Sequence, residues 1–188
     1  MAWESLVVPA LRLIQGIRAS IRRPALRILS FEPARDLRTW KLLPLGRSQK
    51  VLTLEVRLAS GKLARRCIAV LTVTKQPAGL SLRETHFTLH WADTDYSGRT
   101  SGAEPVDIGP EGRRLDAVFA HSEQQGGGCW LAIPMALALP VPNQAYLPPG
   151  YYEARIDLTC ENGDGASIEI RIRSPASWSD LAVEITAA

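Results

Sequence analysis

The stretch LPPGYYEARIDLTCENGDGASIEIRI, Leu147 to Ile172, decides the fold. Tyr152, Ala154, Ile156 and Leu158 place apolar side chains at every second position, with Glu153, Arg155 and Asp157 between them, the period of a half-buried strand. Glu161-Asn162-Gly163-Asp164-Gly165 then gathers the residues that turns require. Ile168, Ile170 and Ile172 resume the alternation against Glu169 and Arg171. Two alternating runs about an Asn-Gly turn form a β-hairpin with one face turned to a core. Cys160 falls on the same parity as Leu158 and is expected to pack there as a small hydrophobe.

The same period extends upstream. Leu52, Leu54, Val56 and Leu58 alternate with Thr53, Glu55 and Arg57; Cys67 to Thr74 is apolar on both faces; Phe87, Leu89 and Trp91 alternate with His86, Thr88 and His90. Leu26, Ile28 and Phe31 begin an extended run, Arg114 to Ala120 and Trp130 to Ile133 add two more strands, and Leu181 to Ile185 adds the last. Between Ala136 and Gly150, Pro140, Pro142, Pro148 and Pro149 forbid ladder hydrogen bonds and mark a long connection. With 188 residues, 46% of them apolar, the chain suffices for one sizeable core. The expectation is an all-β protein, a two-sheet β-sandwich of seven to nine strands with an N-terminal amphipathic helix.

That helix is read from Trp3, Val7, Ala10, Ile14, Ile17 and Ile21, which repeat at steps of four and three, with Leu6, Leu11 and Leu13 widening the stripe. Pro9 sets where regular helix can begin, and Pro24 closes the segment. Arg12, Arg18, Arg22 and Arg23 decorate the remaining surface. Residues Met1 to Ser48 carry nine Lys or Arg against three Asp or Glu, so the basic character of the chain lies in this quarter. A membrane span needs about 20 largely uncharged residues. With Arg12 and Arg18 inside the stripe, the segment reads as a helix lying on an anionic membrane surface or packed on a protein. Residues 1–24 are therefore separated from a sandwich domain at 25–188, and Trp3, Leu6, Arg12, Ile14, Ile17, Arg18, Ile21, Arg22 and Arg23 are its interaction residues.

From Val51 to Ile185 the chain resembles the large class of prokaryotic immunoglobulin-like sandwich modules. The resemblance rests on LEVRLASGKLARRCIAVLTV and on the closing hairpin already quoted. The basic helix ending at Arg22-Arg23-Pro24 is similar to the junction of cytoplasmic-side modules of this kind. It implies fold and carries no functional residue across.

Chemistry-bearing patterns are few. DTDYSGRTSGAE, Asp93 to Glu104, sets Asp93, Asp95 and Ser97 at the first, third and fifth positions of a calcium loop and Glu104 at the twelfth. Its flanks read as a strand before and Pro105 after, which suits a polar hairpin connection equally well. His86 and His90 on one strand would share a solvent face about 13 Å apart, too far to hold one metal ion. His121 has no G-x-S-x-G nucleophile to serve. Gly126-Gly127-Gly128 precedes a strand, so it reads as a hairpin tip and lacks the helix a phosphate cradle needs. Trp40, Trp91, Trp130, Tyr151 and Tyr152 raise stacking on bases, with Trp91 assigned to the core and Tyr151 to the surface. Cys67, Cys129 and Cys160 form no C-x-x-C motif and no disulfide framework, with the pairing of Cys160 and Cys67 left open.

The reading is a non-catalytic interaction module held at a membrane surface or in a larger assembly by its N-terminus. Its partner is expected to be a protein or a second copy of the chain, with an anionic membrane surface as the other target. The alternatives are a calcium-dependent binding module and a subunit of a nucleic-acid-handling complex using the arginines from Arg12 to Arg47. No other cofactor is expected. The first residues lack the pattern of a secretory signal, so the expected location is cytoplasmic, at the inner face of the membrane.

Overall fold

The computed structural model describes residues 23–29, 37–42, 47–82, 85–92, 104–122, 126–131 and 145–187. Thirteen strands run through them: β1 (Ala25–Ile28), β2 (Leu37–Leu42), β3 (Arg47–Ser60), β4 (Ala64–Lys75), β5 (His86–Thr88), β6 (His90–Trp91), β7 (Val106–Ile108), β8 (Arg113–His121), β9 (Cys129–Leu131), β10 (Ala145–Leu147), β11 (Gly150–Thr159), β12 (Ala166–Ser174) and β13 (Ala182–Ala187). Before β13 the chain makes one 3-10 turn, Trp178–Asp180.

The quoted stretch is the β11–β12 hairpin, with Ala154 opposite Ile170 and Ile156 opposite Ile168. The chain is all-β, in two antiparallel sheets. One has the order β13-β12-β11-β4-β5, with β7 beside β4. The other has the order β1-β3-β8-β9-β10, with β2 beside β3 and β6 beside β8. The long β3 serves two partners along one edge, since its second half pairs with β1 and its first half with β2.

The alternation of each sequence run becomes the two faces of its sheet. Leu52, Leu54, Val56, Leu115, Val118 and Leu131 from one sheet meet Leu71, Ile156, Leu158, Ile170 and Ile172 from the other in a single core around the fully buried Trp91. This shared core is compatible with a β-sandwich. Tyr152 lies in the core and Tyr151 is 71% exposed, so the parity read from the sequence holds across the hairpin.

Two expectations need correction. The described strands exceed seven to nine, because the run from His86 to Trp91 does not stay in one sheet and the short strands β2, β7 and β10 add three more. β5 pairs with β4 and β6 pairs with β8, so the chain crosses between sheets at Leu89. For the same reason His90 does not share a solvent face with His86. His86 is exposed, whereas His90 is only 2% exposed, and burial lowers its pKa below the ordinary value of 6.5. Gly126-Gly127-Gly128 lies in the connection between the antiparallel pair β8 and β9, as the hairpin reading expects. Gly127 and Gly128 are buried between β8 and β9, Gly128 donates to the Pro175 carbonyl at 2.6 Å, and a side chain at Gly128 would run into the Tyr146 ring.

The register of β8 slips by one residue where Leu52 faces Val118 but Thr53 faces Asp116. Ala117 is the extra residue, a bulge that switches the parity of β8 and leaves both Ala117 and Val118 buried. Beyond it Val51, Phe119, Trp130 and Tyr146 form a cross-strand row over β3, β8, β9 and β10 on the face away from the core.

Candidate interaction surface

Arg23 and Pro24, the first described residues, meet the sheets at one end, and that end is built from two turns. Ser60 Oγ donates to the Arg23 carbonyl at 3.2 Å. Pro24 is buried between Gly61 of the β3–β4 turn and Gly163 of the β11–β12 turn. A Cβ at Gly61 would lie 2.6 Å from Pro24 Cα, and one at Gly163 would fall on the Pro24 carbonyl oxygen, so neither turn accepts a larger residue without moving. Asp164 N donates to the Pro24 carbonyl at 2.8 Å, and Leu26 N donates to the Asp164 carbonyl at 3.0 Å. β1 thus belongs to one sheet by its ladder to β3 and is tied to the other sheet through the hairpin turn.

Asn162 joins the two turns. Its Oδ1 accepts from Arg65 N at 2.8 Å and its Nδ2 donates to the Leu63 carbonyl at 3.0 Å. Asp107 Oδ1 accepts from Arg66 N at 2.9 Å, at a left-handed backbone position, φ 48°, where the β4–β7 register breaks. The backbone is therefore held while the side chains remain outside. Arg23, Lys62, Arg65 and Arg66 are exposed here, and Leu63 is one of two large apolar side chains among the described residues that stand out to solvent. Asp107, Glu161 and Asp164 are exposed at the same end. The one ion pair found between these groups, Arg66 to Glu161 at 3.9 Å, joins two largely exposed side chains and contributes little.

Of the residues read from the sequence as the interaction stripe, Arg23 is described and exposed at this end. Trp3, Leu6, Arg12, Ile14, Ile17, Arg18, Ile21 and Arg22 lie outside the described residues, as does the helix itself. The calcium reading falls mostly outside them too: Asp93, Asp95 and Ser97 are not described, and Glu104 is exposed just before β7. Among the described residues no group of three or more His, Cys, Asp or Glu is placed to hold a metal ion. No helix among them is long and apolar enough to cross a membrane.

Of the aromatic residues read as candidates for stacking, the Trp40 side chain lies outside the described residues and the others are divided between the core and two outer faces. Trp91 and Tyr152 are core residues, Tyr151 stands on the outer face of the sheet containing β11, and Trp130 packs against Tyr146 on the outer face of the other, ring centroids 4.9 Å apart. Trp130 Nε1 is buried without a hydrogen-bond partner. The Phe119, Trp130 and Tyr146 row escaped the sequence reading because Tyr146 sits in a proline-rich stretch and the Ala117 bulge hides the parity of Phe119.

An open cleft of about 610 Å³ is lined by Glu55, Glu111, Gly112, Arg113 and Arg114, where β8 leaves its first turn beside β3. Arg113 Nε is buried there without a hydrogen-bond partner. Two arginines and two glutamates line it, Glu55 being paired with Arg57, which makes it a mixed-charge surface without a nucleophile-base pair among its lining residues. No protein-family model matches the chain, and no curated protein matches it in sequence.

Proposed function

We propose that the chain is a non-catalytic interaction module, an immunoglobulin-like sandwich that its basic N-terminal segment holds at an anionic membrane surface or in a larger assembly. The observation that supports this reading is the way the segment joins the sheets. Pro24 is clamped by two turns, and beside it Arg23, Lys62, Leu63 and Arg65 are exposed. A helix over residues 1–22 lying on a charged surface would bring these side chains toward the same surface. The immunoglobulin-like assignment draws on the two antiparallel sheets, the β11–β12 hairpin and the crossing between sheets at Leu89.

The energetics of the two targets differ. Burying each large side chain of the stripe contributes roughly 1.5 to 3 kcal/mol, and each basic residue near anionic lipid adds about 1 kcal/mol. The two reinforce on a charged membrane, whereas on a protein the charge contribution depends on the partner. The test is co-sedimentation with vesicles, using the full chain and a chain starting at Arg23, which keeps Pro24. The full chain should sediment with vesicles containing acidic lipid, less with neutral ones and less in high salt; the shortened chain should stay in solution. A soluble, monodisperse full chain that binds neither vesicle would defeat the membrane target. Loss of a defined oligomer on shortening would assign the segment to protein assembly.

A further inference from the structure

Cys67 and Cys160 face one another across two strands, and the pairing follows from the register. β11 and β4 run antiparallel with Leu158 opposite Ala69 and Thr159 opposite Ile68, and this register carried one residue past the end of β11 sets Cys160 opposite Cys67. Both side chains lie on the core side. Cys67 is fully buried, and Cys160 is half-buried against the core. Cys160 Sγ donates to the Asp164 carbonyl at 3.9 Å, within its own turn. Both are free thiols in this structure.

The position along the ladder also matters. The Ala69 carbonyl accepts from Leu89 N at 2.8 Å, on the side away from β11. Cys67, two residues earlier on the same strand, therefore also directs its backbone groups away from β11, and it pairs there with Val106 of β7. Cys67 and Cys160 thus occupy a non-hydrogen-bonded pair, where facing Cα atoms are about 4.5 Å apart, within the range that a disulfide spans.

We propose that Cys67 and Cys160 are a site of reversible oxidation and form a strain-free cross-strand disulfide with a small-molecule disulfide as oxidant. Cys160, the more accessible thiol, attacks as its thiolate. One sulfur of the oxidant bonds to Cys160 and the other leaves as a thiolate. Cys67 then loses its proton and attacks the Cys160 sulfur, and the second half of the oxidant leaves as a thiolate and takes up a proton. Two electrons and two protons pass from the protein to the oxidant, which ends as two thiols. Burial raises the Cys67 thiol above its ordinary value, so the second step is the slow one and quickens as pH rises. Cys129 takes no part: it is buried in β9, in the other sheet.

The bond would tie β4 to the start of the hairpin turn whose Asp164 holds β1, and would close a loop of about 90 residues. The test uses the full chain treated with oxidised glutathione, then with a thiol-blocking reagent under denaturing conditions. The expected product has lost two hydrogens, takes up one blocking group, and yields on trypsin digestion without reductant a single cross-linked pair, Cys67–Lys75 with Ile156–Arg171. Its thermal midpoint should rise by about 10 °C, and dithiothreitol should reverse both changes. Three blocked thiols, glutathione retained on Cys160, or a covalent dimer would overturn the proposal. A cross-link that leaves the midpoint unchanged or lowers it would overturn the strain-free geometry. Because the readout is the mass of the unmodified sequence, no variant has to fold for the result to decide.

Discussion

Ile170 offers the sharpest test of the packing, because it sits mid-strand in β12 between Ala154 and Ile185 and is only 1% exposed. Ile170→Asp removes a buried aliphatic group, at about 1.5 to 3 kcal/mol, and leaves a buried carboxyl without a partner, at about 1 to 3 kcal/mol more. The carboxyl must also stay protonated in the folded state. With an unfolded pKa near 3.9, holding that proton at neutral pH costs about 4 kcal/mol. The sum is about 7 to 10 kcal/mol, comparable with the whole stability of a domain. The sign of the pH dependence follows. The folded-state pKa is raised above the unfolded one, so the destabilisation grows with pH above about 3.9 and shrinks as pH falls. Ile170→Asn has nearly the same shape with no proton to hold, and should cost only about 3 to 6 kcal/mol at any pH. Urea unfolding followed by tryptophan fluorescence, run near neutral pH and about two units lower, should bring the Asp variant about 3 kcal/mol closer to the Asn variant at the acid condition. Two variants as stable as the parent would mean that this face is solvated. Equal destabilisation at both pH values would mean that water reaches the carboxyl.

Two more residues test the buried and the crowded parts of the fold. His90 is buried with a lowered pKa, so its contribution to stability is present above the unfolded value of 6.5 and is lost as pH falls below it. The thermal midpoint should therefore drop between about pH 7 and about pH 5.5, and His90→Asn should flatten that drop; an unchanged slope would assign the acid sensitivity elsewhere. Gly163→Ala should lower the midpoint by about 3 to 10 °C, since its Cβ has no room beside the Pro24 carbonyl, and an unaffected melt would mean that Pro24 does not rest on the hairpin turn.

How far each element was legible depended on whether its signal was local. The β11–β12 hairpin, the inward face of β3 and the core position of Trp91 could be read because alternation and turn residues act over a few neighbours, and each strand kept its hydrophobic face toward one core. β7 and β10, of three residues each, are too short to establish a period, β2 (Leu37–Leu42, LRTWKL) does not alternate, and each exists because a neighbouring strand offers it an edge. Of the candidate surface, the basic excess and the Arg22-Arg23-Pro24 junction were legible, whereas the partnership of Lys62, Leu63 and Arg65 with Arg23 was not.

The sequence by itself determined the all-β class, the parity of the long strands and the charge division between the first quarter and the rest, because hydrophobic period and charge are properties of consecutive residues. Only the tertiary structure decided that β5 and β6 belong to different sheets, that His90 is buried while His86 is exposed, and that Cys67 faces Cys160. It likewise decided that Gly61 and Gly163, about a hundred residues apart along the chain, close on one proline. The physical reason is common to all of these. Sheet exchange, bulges and inter-strand register are set by which edges and faces meet in space, and contacts between distant segments leave no period in the sequence of either one.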